Sequence, residues 1–91
     1  MTPMNKQEFL DHAGLEVVTL DVWLEREWIR PDRSATDLAF TAMDAARARL
    51  IQALIRDFGV NDEGVTLILH LTDQLYSVRR VLAQVRAAQD T

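Results

Sequence analysis

Ninety-one residues make one domain near the lower limit of size at which a chain supports its own core, so self-association would add stability. A hydrophobic fraction of 48% excludes a disordered chain, and the absence of cysteine excludes disulfides and thiolate metal sites. The net charge of -4 is uneven: residues 1–31 hold three Lys and Arg against six Asp and Glu, a poor start for a surface that must neutralise DNA phosphates.

Asn5 with Glu8 three positions later reads as a capping box, which predicts a short helix over about Lys6 to His12 with Phe9 and Leu10 on its apolar face. Gly14 can take the left-handed conformation that stops it. From Glu16 to Ile29, Val17, Leu20, Trp23, Leu24 and Trp28 recur at helical spacing and predict a second helix ending before Pro31. Two short helices joined by a glycine turn form a helix-turn-helix over about residues 5–30. Pro31 to Ala39 is polar, with Asp32, Arg33, Ser34, Thr36 and Asp37, and reads as a loop or small β-hairpin.

Thr41 and Asp44 signal a third helix over about 42–58, with Met43, Ala46, Leu50, Leu54 and Phe58 on one face and Ile51 and Ile55 widening it. Gly59 stops that helix, and Asn61 caps a last one over about 62–88, with Asp62 and Glu63 in its first turn. Ile68, Leu71, Leu75, Val78, Leu82 and Val85 follow at intervals of 3, 4, 3, 4 and 3, a seam that can face a partner helix continuously. The half from Val65 to Leu71 is apolar around most of its circumference and is expected to be buried. Beyond Tyr76 the stripe would protrude into water, so Leu75, Val78, Leu82 and Val85 are expected to form a homodimer interface.

The first twenty residues carry Lys6, Glu8 and Asp11, which interrupt any signal-peptide h-region, and the apolar run from Val65 is broken by Thr66, His70, Thr72 and Asp73. A cytoplasmic protein without membrane contact is the expectation.

Several blocks resemble the CbpM chaperone-modulator family over about Phe9 to Arg86. They are Gly14-Leu15 before the second helix, Trp28-Ile29-Arg30-Pro31, Phe40 leading the third helix, Asp57-Phe58-Gly59-Val60-Asn61, Gly64-Val65 and Leu67-Ile68-Leu69. The Asp-apolar-Gly-Val-Asn hinge is the most specific of these. Glu16, Glu27 and Leu38 depart from the family pattern. The resemblance implies a single all-α, MerR-like winged helix-turn-helix domain with a wing at about 31–40 and a long C-terminal packing helix. It also implies a cytoplasmic regulator that binds the J-domain of a curved-DNA-binding, DnaJ-like co-chaperone and restrains its co-chaperone and DNA-binding activities.

Glu8 and Asp11 lie three apart on the first helix, and Asp21 and Glu25 four apart on the second, so each pair shares a face. They are either a solvated surface or, as the resemblance suggests, an acidic patch for the basic face of a J-domain. Trp23 and Trp28 stand five apart, so one belongs to the core and the other, assigned here to Trp23, is an exposed partner anchor. The alternative is a dimeric DNA-binding transcription regulator using Arg26, Arg30 and Arg33, which the neighbouring Asp21, Glu25 and Glu27 disfavour. His12 and His70 have no metal-ligand spacing, and His70, amid Ile68, Leu69 and Leu71, reads as a partly buried neutral side chain. No assembled set of catalytic residues is present, so neither an enzyme nor a cofactor is expected.

Overall fold

A computed structural model describes residues 3–34 and 37–89, which divide between two compact units, residues 1–60 and residues 61–91. Among the described residues there are four helices and no sheet, so the molecule is mostly helical.

In the first unit, α1 spans Lys6–Ala13. The Asn5 side chain accepts from the Glu8 N–H at 2.8 Å, and the Glu8 carboxylate accepts from the Asn5 N–H at 3.0 Å, so the capping box satisfies two donors that the first turn leaves open. Gly14 ends the helix at φ 68, a conformation costly for any residue with a Cβ. Gln52 adds a bond from its Nε2 to the Ala13 carbonyl oxygen at 3.3 Å.

Helix α2 spans Val17–Glu25, four residues shorter than the spacing of its apolar residues suggests. Its end is a Schellman turn. The Glu27 N–H donates to the Leu24 carbonyl oxygen at 3.1 Å and the Trp28 N–H to that of Trp23 at 2.9 Å, which places Glu27 at φ 60. The turn reverses the chain and buries Trp28 and Ile29, apolar residues that a continued helix would have pointed elsewhere. Arg47 then donates from Nε to the Trp28 carbonyl oxygen. Because a left-handed conformation costs an L-residue roughly 1 kcal/mol that glycine avoids, Glu27→Gly should raise the unfolding free energy by about that amount in urea titration. A variant no more stable than the parent would mean that Glu27 makes compensating contacts.

Pro31 is buried at the start of the next segment. The expected hairpin wing is reduced, among the described residues, to two isolated antiparallel bridges; Thr36 lies outside the described residues. Asp32 and Ala39 exchange two backbone hydrogen bonds of 3.0 Å, and Met4 and Phe40 exchange two of 2.8 Å, so residues 39 and 40 lie between two partners without forming a strand. The Ser34 N–H donates to the Asp32 carboxylate at 2.8 Å, an Asx turn that holds this carboxyl below its ordinary pKa.

Helix α3, Ala42–Arg56, opens with the expected Thr41–Asp44 capping box. Its buried face differs from the expected one. Ala45, Ala48 and Ile51 are buried, Leu50 and Leu54 are half-buried, and Met43, Ala46 and Phe58 lie in solvent, Phe58 being 74% exposed. Small alanines let α3 lie close to α1, whereas the larger residues that look like core in the sequence fall on the other side. Phe9 and Phe40 stack with ring centroids 4.4 Å apart, and Trp23 and Trp28 pack tilted at 6.3 Å, so the core contains two aromatic pairs, with Leu20, Ile29 and Ile51 also fully buried.

The second unit is the helix α4, Asp62–Gln89. Asn61 caps it by accepting from the Gly64 N–H at 2.8 Å. Only Val65 and Leu69, four apart on one side, are buried. Leu67, His70 and Leu71 are exposed, which corrects both the expected burial of this half and the reading of His70 as partly buried.

Candidate protein-binding surface

The outward face of α2 gathers the candidate residues. Leu20 and Trp23 point into the core, which leaves Val17, Val18, Asp21, Val22 and Glu25 facing solvent, Val18 at 69% exposure. The nine residues Val17–Glu25 contain no lysine or arginine. The face is therefore apolar with an acidic margin.

The sequence-based candidates sort into three groups. Glu8, Asp11, Asp21 and Glu25 are all exposed, and three of these carboxylates already have internal partners. Asp21 accepts from the Lys6 ammonium at 2.6 Å across the α1–α2 pair, Asp11 accepts from Gln7 Nε2 at 3.0 Å, and Glu8 caps its own helix. The Lys6–Asp21 pair, with both side chains substantially in water, contributes little to stability but halves the local charge that a partner would meet. Trp23 does not fit the role of exposed anchor: it is only 5% exposed and sits against Trp28, so both indoles belong to the core.

Arg26, Arg30 and Arg33 are exposed beyond the end of α2, not on it, and Arg26 lies over the Trp28 ring at 5.1 Å. Leu75, Val78, Leu82 and Val85 are exposed on α4.

Sequence reasoning missed the valines. Helical spacing puts Val17 in the core stripe and leaves Val18 and Val22 outside it, although the run Val17-Val18 with Val22 makes α2 apolar on both sides, which in a helix this short marks a face available for contact. A shallow cleft of about 280 Å³ opens beside this helix, lined by Leu15, Thr19, Trp23, Gln52, Ile55 and Arg56. No helix is long and apolar enough to cross a membrane, and among the described residues no three His, Cys, Asp or Glu stand together as a metal site.

Comparison with known proteins agrees with this architecture. Residues 4–87 match the family model described as MerR HTH family regulatory protein, a match that runs through both compact units. Searches of curated proteins and of solved structures found no match. The mostly helical fold is consistent with that match, and the chain belongs to the MerR helix-turn-helix family of regulatory proteins.

Proposed function

We propose that the protein regulates by binding a basic polypeptide, and that this partner is the J-domain of a curved-DNA-binding, DnaJ-like co-chaperone whose co-chaperone and DNA-binding activities it restrains. The observation that carries the reading is the composition of the exposed α2 face: three valines and two carboxylates, with no lysine or arginine in α2 itself and only Lys6 of α1 paired to one of the carboxylates. In a DNA-reading helix-turn-helix the second helix enters the major groove and needs arginine or lysine toward phosphates and base edges. Here Asp21 and Glu25 would meet phosphate with like charge. Against a protein the same face is well matched, because full burial of a valine is worth roughly 1.5–3 kcal/mol and a carboxylate rim steers a cationic partner. The resemblance to the CbpM family supplies the identity of that partner, and the action is binding, not catalysis.

The competing reading is a dimeric DNA-binding regulator that touches phosphates through Arg26, Arg30 and Arg33. Titration of the full chain with a J-domain fragment, and separately with mixed duplex DNA across a salt series, separates the two. A stoichiometric complex with the J-domain alone is the expected result. Tight, salt-sensitive DNA binding without a J-domain complex would replace it with the DNA reading.

Charge reversal refines the test. Glu25→Lys combined with Asp21→Lys should slow association with the J-domain by about tenfold at low salt, while leaving dissociation nearly unchanged, because rim charges act mainly on encounter. Unaltered association in stopped-flow would remove both residues from the site.

A further inference from the structure

Of the 10 lysine and arginine residues in the chain only Lys6 is a lysine, and it stands at the first position of α1, where the helix dipole disfavours a positive charge. Its ammonium nonetheless meets Asp21 Oδ1 of α2 at 2.6 Å, within the same compact unit. The pair is open to solvent, the two side chains being 40% and 55% exposed. A lysine grips one oxygen as a compact, hydrated point charge where an arginine would clasp both, so the contact is readily exchanged. Among the described residues the other Asp21 oxygen has no partner, and neither has the Glu25 carboxylate one turn along the same face.

We propose that Lys6 stands in for the partner: in the free protein its ammonium occupies the place on Asp21 that a lysine or arginine of the basic polypeptide takes in the complex, and binding exchanges one cation for the other. This rests on the assignment of the α2 face to a basic protein. In the free protein Lys6 relieves the repulsion between Asp21 and Glu25, four apart on one helix, which explains a cation held at the disfavoured end of α1. The open second oxygen of Asp21 lets an incoming cation make contact before Lys6 departs, so the carboxylate is never left unpaired as the interface closes over it. With Lys6 in place the face meets a partner with Glu25 alone uncompensated, and without it with two carboxylates. Lys6 therefore sets how strongly the face draws cations, and its removal should raise affinity instead of lowering it.

The test compares the full chain with Lys6→Gln, which removes the charge and keeps a good helix former, using decalysine as a purely cationic probe and the J-domain fragment as the partner, both by isothermal titration at low ionic strength. Decalysine should bind Lys6→Gln about fivefold more tightly than the parent, the gain expected when an exposed ion pair no longer has to be broken. In an Asp21→Asn background the same substitution should change its affinity by less than about twofold, because the cycle then lacks the carboxylate through which Lys6 acts. Equal affinity of decalysine for parent and Lys6→Gln overturns the proposal and leaves Lys6 as a tie between α1 and α2. A full gain that persists with Asp21→Asn overturns it as well, since Lys6 would then be one more remote charge. The J-domain fragment should show a similar gain of about fivefold, lost in the same background. An unchanged J-domain affinity beside a decalysine gain would overturn the exchange, because the partner would then dock away from Asp21. A decalysine gain with no J-domain complex in either protein would uphold Lys6 as the occupant of Asp21 and strike out the J-domain as the partner.

Discussion

Val18→Arg is expected to weaken J-domain binding by a factor of about 100 while leaving the unfolding transition within ~0.5 kcal/mol of the parent. The two halves of this result have separate causes. Val18 is 69% exposed, so an arginine there displaces nothing from the core, and arginine has a better helix propensity than the β-branched valine it replaces. In the complex the same change removes an apolar contact on the α2 face and sets a cation there, facing a basic partner. Loss of a buried valine contact and like-charge repulsion together supply about 2–3 kcal/mol, which is the stated factor. Isothermal titration with the J-domain fragment measures it. The DNA reading predicts the opposite sign, since a new arginine on the groove-facing helix would tighten duplex binding and leave the J-domain titration unchanged.

Phe40→Ala should cost about 3–5 kcal/mol, a large fraction of the 5–15 kcal/mol that holds a small domain together. Phe40 is fully buried and stacks on Phe9, so removing its ring leaves a cavity and an unpartnered aromatic in the middle of the first unit. Its backbone is bridged to Met4 by two hydrogen bonds that do not involve the side chain, so the bridge alone cannot replace what the ring contributes. Urea denaturation followed by tryptophan fluorescence reads the loss, because Trp23 and Trp28 are both buried in the same unit. Phe58→Ala is the control. Phe58 is 74% exposed, and its removal should change stability by no more than about 0.5 kcal/mol. Equal effects at the two positions would mean that the core has been placed wrongly.

Local chemistry made much of the fold legible. The capping boxes at Asn5–Glu8 and Thr41–Asp44, the stop at Gly14 and the Asn61 cap all depend on residues within four positions of one another, and all four appear where the sequence places them. The boundaries of α1, α3 and α4 follow within two residues. Failures begin where a residue's neighbours are distant in the chain. The end of α2 depended on Glu27 accepting a left-handed backbone, which nothing in its side chain announces. Met43 and Phe58 look like core by hydrophobicity, yet the side of α3 that meets α1 is the alanine side. Among site residues, the exposed carboxylates were readable as surface groups. The salt bridge from Lys6 to Asp21, fifteen residues apart, was not.

By itself the sequence determined the order of the helices, their caps, the deficit of cations on α2 and the repeating stripe of α4, because each follows from composition or from spacing within one element. The tertiary structure decided that both indoles are buried, and which face of α3 and which valines meet solvent. Burial is a relation between segments that the chain brings together only on folding, so two residues of equal hydrophobicity, Phe40 and Phe58, end at opposite extremes of exposure.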